Sequence, residues 1–341
     1  MSTSTTSARP ARHRSAALRA AVSSILGGLV SFVLVVLVGF FLFRMLPGDP
    51  VTTMTREQNL TAEQRAALRD SLGLNDPLIV QFGNYLLGVL QGDLGDSFQF
   101  NQPVSVLIAD RIGPTLLLTG TAMLLAVILG LPIGTRAGWR RGSVFDKLSV
   151  GVSLTLWSVP TFWLALLLLM IFGVGVGPLP GLFPVNGMQS SDLTGGWFTQ
   201  ALDVGWHMVL PVITIVAVIY AQYVLVMRSS VLDEIGNDYL NTARAKGLRD
   251  ALVLRRHAVP NALLPTVTVI MIQVGFLVTG AITTEYVFSW PGLGSLTAEA
   301  LNVPDLPLLQ GTFIVFSGCV IIANVIADLL YLAIDPRLRN R

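Results

Sequence analysis

The sequence predicts an all-α membrane protein with six transmembrane helices and a small extracytoplasmic subdomain after the first. Of the 341 residues, 52% are hydrophobic and 12% are charged, which is about half the charged fraction of a typical soluble domain. Several apolar stretches also approach or exceed the roughly 20 residues that cross a bilayer as a helix. Their residues do not alternate between apolar and polar, which argues against a membrane β-barrel.

The distribution of basic residues is the third observation, and it indicates both the number of spans and the orientation. Of the 22 Lys and Arg residues, four, four, six and three fall in the segments 1–21, 136–147, 228–259 and 336–341. These segments share one side of the membrane if the spans number six. The loops 173–206 and 285–307 contain none. The positive-inside rule then predicts that both termini are cytoplasmic.

The N-terminal part divides into a tail and a first span. Residues 1–21 are rich in Ser, Thr, Ala and Arg and contain no acidic residue, which predicts a disordered basic tail. The apolar stretch 22–43 predicts the first transmembrane helix. A signal peptide is the alternative, but the stretch is too long for its apolar core and no small-residue cleavage motif follows.

The segment 44–111 predicts the extracytoplasmic subdomain. Thr61 and Gln64 have the spacing of a helix capping box, and Gly73 is suited to end that helix. The remaining spans are predicted at 112–135, 148–172, 207–227, 260–284 and 308–334.

The segment 237–265, "NDYLNTARAKGLRDALVLRRHAVPNALLP", interrupts the apolar runs. Residues 238–247 predict a short helix on which Tyr239, Ala243 and Gly247 share a face, because they are four residues apart. Ala243 and Gly247 make that face small, which lets another surface approach closely. The pattern leaves two interpretations open: a docking element, or a basic loop that only sets the topology.

This segment resembles the cytoplasmic loop of permease subunits of ABC importers, whose motif is E-A-A-x-x-x-G-x9-I-x-L-P. The aligned residues are Asn241, Thr242, Ala243, Gly247, His257, Val259 and Pro260. Asn241, Thr242 and His257 depart from the Glu, Ala and Ile of the motif. The form "TARAKGL…RHAVPNALLP" is similar to the branch that contains dipeptide, oligopeptide and nickel permeases.

The resemblance extends over nearly the whole chain and is closest to the B-type subunit of that branch. It rests on the segments "FRMLPGDP", "LGLNDPLIVQF", "LQGDLGDSF", "SVPTFWLALLLLMIF", "LPVITI", "TGAITTEYVFSWPGLGSL" and "DPRLR". It implies a type-I ABC importer permease fold over 112–335, with a coupling loop at 228–259, in a bacterial plasma membrane.

The same resemblance implies how the chain works with other subunits. The short helix would be a coupling helix docked in a cleft of a separate ABC ATPase subunit, which would hold ATP and Mg²⁺. The implied coupling residues are Asp238, Tyr239, Asn241, Thr242, Ala243, Arg244, Ala245, Lys246, Gly247 and Leu248. A homologous C-type permease would form the other half of the pathway, and an extracytoplasmic substrate-binding protein would deliver the cargo. That cargo stays open between dipeptides, oligopeptides, glutathione, haem and nickel chelates.

The sequence contains no recognisable catalytic motif, in keeping with the permease that the resemblance implies. The sequence has no G-x-x-x-x-G-K-[ST] motif, and its two lysines follow no glycine-rich loop, so we expect this chain to bind no cofactor. Nothing in it suggests nucleic-acid binding. Gln222, Gln273 and Glu285 are candidates for the translocation path, because polar groups within spans are costly and often functional. Hydrogen bonds between helices are the alternative role.

Two other classes of function compete with this interpretation. A secondary transporter or channel would need no ATPase partner, and inverted repeats or deep ionisable residues would indicate it. An intramembrane enzyme would need a paired nucleophile and base within the spans.

Overall fold

The computed structural model describes residues 11–45, 51, 61–71, 73–275, 277, 281–303 and 305–334. The predicted C-terminal tail and the first ten residues lie outside these ranges. Within them the helices are α1 (Ala11–Met45), α2 (Ala62–Ser71), α3 (Leu78–Gln91), α4 (Val104–Trp139), α5 (Val144–Ser158), α6 (Thr161–Leu168), α7 (Trp197–Ile235), α8 (Asp238–Ala245), α9 (Asp250–Val253), α10 (Val259–Gly275), α11 (Ile282–Val287), α12 (Leu293–Asn302) and α13 (Leu306–Ile334). Two π-helical turns, Leu169–Val174 and Leu254–Ala258, extend α6 and join α9 to α10. The strands β1 (Gly175–Val176) and β2 (Leu179–Pro180) pair antiparallel.

The described residues contain five helical segments that could span a membrane, and six if a bent pair of helices counts as one span. Five helical segments are long and apolar enough to span a membrane: Ala21–Leu42, Val104–Trp139, Trp197–Ile235, Asp250–Gly275 and Leu306–Leu329. The bent pair, which would be the sixth, consists of Val144–Ser158 and Thr161–Val174, which meet at 97°. The bend falls at Val159, which is extended with ψ 127°, because a residue before proline is disfavoured in the helical region.

Three predicted boundaries differ from the structure. The tail is not disordered over residues 11–21, since α1 begins at Ala11, and the alanines of this stretch have high helix propensity. The second span begins at Val104 instead of residue 112, directly after Pro103. The fifth ends at Gly275 and does not reach residue 284.

The centre of the fold is the contact between α4 and α7, which runs through a row of glycines. Gly130, Gly134 and Gly138 lie on one face of α4, because they are four residues apart. A Cβ atom at Gly134 would lie 2.5 Å from the carbonyl oxygen of Val224, and one at Gly138 would lie 2.8 Å from that of Arg228. Only glycine therefore permits this approach, in keeping with the small residues that line helix contacts in membranes.

The subdomain before α4 has the predicted local structure. The Thr61 N–H donates to Oε1 of Gln64 at 2.9 Å, and the Gln64 N–H donates to Oγ1 of Thr61 at 3.3 Å, which confirms the capping box. Gly73 has φ +61°, as expected of a glycine that ends a helix. Asp305 joins the subdomain to the last span: it accepts from Oγ of Ser97 at 2.6 Å and from the Leu308 N–H at 3.2 Å.

Candidate coupling and translocation site

Helix α8 ends in a glycine that the backbone requires. The Gly247 N–H donates to the carbonyl oxygen of Arg244 at 2.9 Å, and Gly247 has φ +81°. This left-handed conformation costs a residue with a Cβ atom about 1–2 kcal/mol. A Cβ atom at Gly247 would have no heavy atom within 4 Å. Glycine is therefore required here by the backbone conformation and not by a lack of space.

One face of α8 is buried within the chain itself. Leu240 is fully buried and Ala243 is 6% exposed, and both pack with Val253, Ala258 and the half-buried Trp139. Leu248 packs against the same cluster. The predicted docking face of Tyr239, Ala243 and Gly247 is therefore wrong at Ala243. Ala243 is three residues from Leu240 and so shares the face on which that leucine is buried.

The opposite face of α8 is exposed and presents small or polar side chains. It consists of Asp238, Asn241, Thr242 and Ala245, followed by the exposed Lys246. Thr242 Oγ1 donates only along its own helix, to the carbonyl oxygen of Asp238 at 3.1 Å. Docking by α8 would use this face.

The start of α8 is tied to the two long helices beside it. The Tyr239 hydroxyl donates to the Glu234 carboxylate at the end of α7 and accepts from Nδ2 of Asn261 in α10 at 3.0 Å. Asn237 Nδ2 also donates to Glu234, at 2.8 Å. Loss of solvent and the adjacent Glu234 raise the pKa of Tyr239 above its ordinary value, so the hydroxyl is a protonated donor at neutral pH. Tyr239 thus fixes where α8 leaves the bundle.

The structure brings two of the three candidate path residues together. Nε2 of Gln273 in α10 donates to Oε1 of Gln222 in α7 at 2.6 Å, and both side chains are half-buried. Each amide keeps further donor or acceptor capacity, so the pair offers polar groups between two membrane helices.

Glu285 is not in the path in this structure. It lies in α11, is 0% exposed, and accepts from Oγ1 of Thr115 at 2.8 Å. The N–H groups of Gly294 and Ser295 also donate to it, at 2.7 and 3.2 Å. The carboxylate therefore occupies the N-terminus of α12, where the helix dipole favours a negative charge. The path assignment of Glu285 is corrected to a structural role.

An ion pair that the sequence does not predict joins α5 and α7. The Arg228 guanidinium donates to both carboxylate oxygens of Asp146, with an Nη2–Oδ2 distance of 3.0 Å. The Gly142 N–H donates to the same carboxylate at 2.9 Å. Because 82 residues separate the partners, no local pattern indicates that they pair.

Comparison with protein families decides the class of this protein. The profile described as "Binding-protein-dependent transport system inner membrane component" matches residues 130–340, more than half of the chain. The chain belongs to this family. The profile of the N-terminal part of such membrane components matches residues 17–119.

Curated members of the binding-protein-dependent transport family are similar over almost the full length. The dipeptide transport system permease protein DppB of Escherichia coli (strain K12) is 40% identical over 324 residues, which cover 91% of this chain and 96% of that protein. The glutathione transport system permease protein GsiC of Salmonella typhimurium is 39% identical over 315 residues, covering 92% and 97%. DppB of Alkalihalophilus pseudofirmus is 36% identical over 313 residues, covering 89% and 94%.

Membership of the family confirms the predicted class and fold. The chain is a multi-pass inner-membrane permease subunit with the type-I importer fold. ATP hydrolysis in such transporters belongs to separate ATPase subunits, and a binding protein supplies the substrate. The alternatives of a secondary transporter and of an intramembrane enzyme are therefore set aside.

Proposed function

We propose that this chain forms half of the translocation pathway of an ATP-driven importer of short peptides. The observation that carries the proposal is its identity of 36–40% with DppB proteins over about nine tenths of its length. A homologous C-type permease supplies the other half of the pathway. An extracytoplasmic binding protein delivers the peptide, and the similarity to the glutathione permease GsiC supports a cargo of the size of a short peptide.

The coupling contact is the exposed face of α8, formed by Asp238, Asn241, Thr242 and Ala245. This face enters a cleft of the ATPase subunit. ATP and Mg²⁺ bind elsewhere on the ATPase subunits, and this chain itself holds no cofactor. The distribution of basic residues supports a cytoplasmic position for α8 and for both termini. The opposite, buried face of α8 supports the proposal, because a docking helix must be held by its own subunit to transmit movement.

Gln222 and Gln273 are the proposed polar groups of the pathway. An amide side chain donates and accepts hydrogen bonds as a peptide group does. The two glutamines can therefore exchange their mutual bond for bonds to the peptide backbone of the cargo. This exchange discriminates little between peptide side chains, so specificity rests mainly with the binding protein.

The proposal is tested with the assembled complex, in which this chain is purified together with the ATPase, second permease and binding protein of the same system. Hydrolysis of Mg·ATP is measured with and without the binding protein, and uptake of labelled dialanine is measured in proteoliposomes. The decisive variant is Thr242→Arg, because Thr242 is exposed on α8 and bonds only its own helix. A substitution at Gly247 is less informative, since backbone strain would add to any effect on docking.

We expect Thr242→Arg to lose the ATPase subunits or to reduce stimulated hydrolysis at least about tenfold, since a charge buried without a partner is costly. The matched control is Ser229→Arg, an exposed polar position on α7, which should behave as wild type. A wild-type complex without ATPase subunits, or a Thr242→Arg complex with normal stimulation, would overturn the proposed coupling. Absence of dialanine uptake in a complex with stimulated hydrolysis would overturn the proposed cargo.

A further inference from the structure

The C-terminal end of α4 contacts α8 through the side chain of Trp139. Trp139 is the last residue of α4, and its Nε1–H donates to Oδ2 of Asp250 at 2.8 Å. Asp250 is the first residue of α9 and is itself exposed. A hydrogen bond therefore joins the second membrane span to the segment that follows α8.

The same carboxylate also holds a residue of α8. Nε of Arg244 lies 3.2 Å from Oδ1 of Asp250, and the Arg244 guanidinium carbon lies 5.4 Å from the centre of the Trp139 ring. This distance is within the range of a cation–π interaction. Trp139, Arg244 and Asp250 thus form a closed set of three contacts, which we call the clasp.

The Trp139 ring also lies between two hydrophobic clusters. One contains Leu240 and Ala243 of α8, and the other contains Met227 and Val231 of α7. α8 follows α7 directly in the chain, so its connection to α7 needs no side chain. Its contact with α4, in contrast, is made by the side chain of Trp139.

Packing between α4 and α8 would not require the polar contacts of the clasp. A phenylalanine or leucine would fill the gap between the two clusters, and Asp250 and Arg244 would remain a surface ion pair of little energy. The indole N–H of Trp139 joins α4 to this ion pair. It can only donate a hydrogen bond, and the Asp250 carboxylate accepts it. It orients the carboxylate, which in turn orients Arg244.

We propose that Trp139 is a positioning residue that couples α8 to α4, so that movement of α8 imposed by the ATPase also moves the second span. This inference rests on the proposed coupling role of α8. In it Trp139 touches neither ATP nor cargo and acts through Asp250 and Arg244.

The test uses the purified complex and the variant Trp139→Phe, which keeps an aromatic ring between the clusters and removes the N–H donor. Asp250→Asn is the second variant, because it keeps the acceptor for Trp139 and removes the charge opposite Arg244. Trp157→Phe is the matched control, since Trp157 lies on α5 and is 56% exposed. The readout is the ratio of binding-protein-stimulated to basal Mg·ATP hydrolysis, together with the ATPase content of each complex.

We expect both clasp variants to retain the ATPase subunits and to lower the stimulation ratio about tenfold, as loss of a hydrogen bond to a charged group would. The double variant should be no worse than either single one, because each breaks one link of the same path from Trp139 through Asp250 to Arg244. Trp157→Phe should match wild type.

A second readout measures the separation of α4 and α9 directly. In a background with Cys319 replaced by serine, spin labels at Arg140 and Arg249, both exposed, report the separation between α4 and the start of α9. We expect dipolar broadening to be the same without nucleotide and with trapped Mg·ATP in the wild type. In Trp139→Phe it should weaken once Mg·ATP is trapped.

Unchanged stimulation and broadening in Trp139→Phe would overturn the inference and leave the coupling role of α8 intact. Loss of the ATPase subunits from Trp139→Phe would also overturn it, because Trp139 would then shape the docking surface instead of transmitting movement. A wild-type complex without ATPase subunits would overturn the proposed coupling, and the inference with it.

Discussion

Glu285 and Thr115 are joined by a hydrogen bond of 2.8 Å although 170 residues separate them along the chain. Thr115 in α4 donates to the carboxylate and accepts from the Leu293 N–H at 2.8 Å, so one hydroxyl serves both Glu285 and the start of α12. This arrangement fixes the two short helices α11 and α12 against the second span.

Glu285→Gln should therefore destabilise the protein, although the side chain keeps its size. The amide has a single oxygen, so its NH₂ group would face a backbone N–H or the Thr115 hydroxyl. We expect a loss of about 1–3 kcal/mol, as for a buried donor left without a partner. Unfolding in detergent micelles measures it, with the exposed Asp192→Asn as control; equal stabilities of the two variants would contradict this assignment.

Gly134→Ala should separate α4 from α7. The added methyl group would lie 2.5 Å from the Val224 carbonyl oxygen and 2.9 Å from Cβ of Met227, and overpacking of this kind costs about 1–3 kcal/mol. The control is Gly120→Ala on the same helix, where a Cβ atom meets no heavy atom within 4 Å. That substitution should be neutral or stabilise by about 0.4–1 kcal/mol. Thermal unfolding of both variants measures these changes in stability. Equal effects of the two substitutions would show that the glycine row is not a close contact.

Asp146 and Arg228 should show coupled effects on stability. The Asp146 side chain is 4% exposed and that of Arg228 is 26% exposed, so Arg228→Met leaves a buried carboxylate with the Gly142 N–H as its remaining donor within the described contacts. A double-mutant cycle with Asp146→Asn should give a coupling of about 1.5–3 kcal/mol, typical of hydrogen bonds to charged groups. Additive losses within about 0.5 kcal/mol would mean that the pair contributes no specific interaction.

Gln222→Leu and Gln273→Leu should each reduce dialanine uptake by the complex about tenfold, since each removes a polar partner for the peptide group. The ATPase subunits should remain bound, because both residues lie within the spans and away from α8. Trp157→Phe serves as the comparison, since Trp157 is 56% exposed on α5. Normal uptake by both glutamine variants would assign the pair to helix packing alone.

The spans could be predicted from sequence because the bilayer imposes them through length and composition. The capping box of Thr61 and Gln64 could be predicted because it depends on residues three positions apart. Which face of α8 is buried could not be predicted, because it depends on the packing of Leu240 against Val253 and Ala258. Likewise, the polar character of Glu285 was evident, but its role depended on Thr115 and on the N-terminus of α12, which only the fold brings near it.

The row of Gly130, Gly134 and Gly138 constrains how this subunit changes shape during transport. Backbones that touch over three successive turns cannot slide or rotate past each other without breaking that contact, so α4 and α7 behave as one rigid body. α4 and α7 then move as one unit, and the clasp adds α8 to it. Access to either side of the membrane changes as this unit shifts relative to α10, α13 and the bent α5–α6 pair.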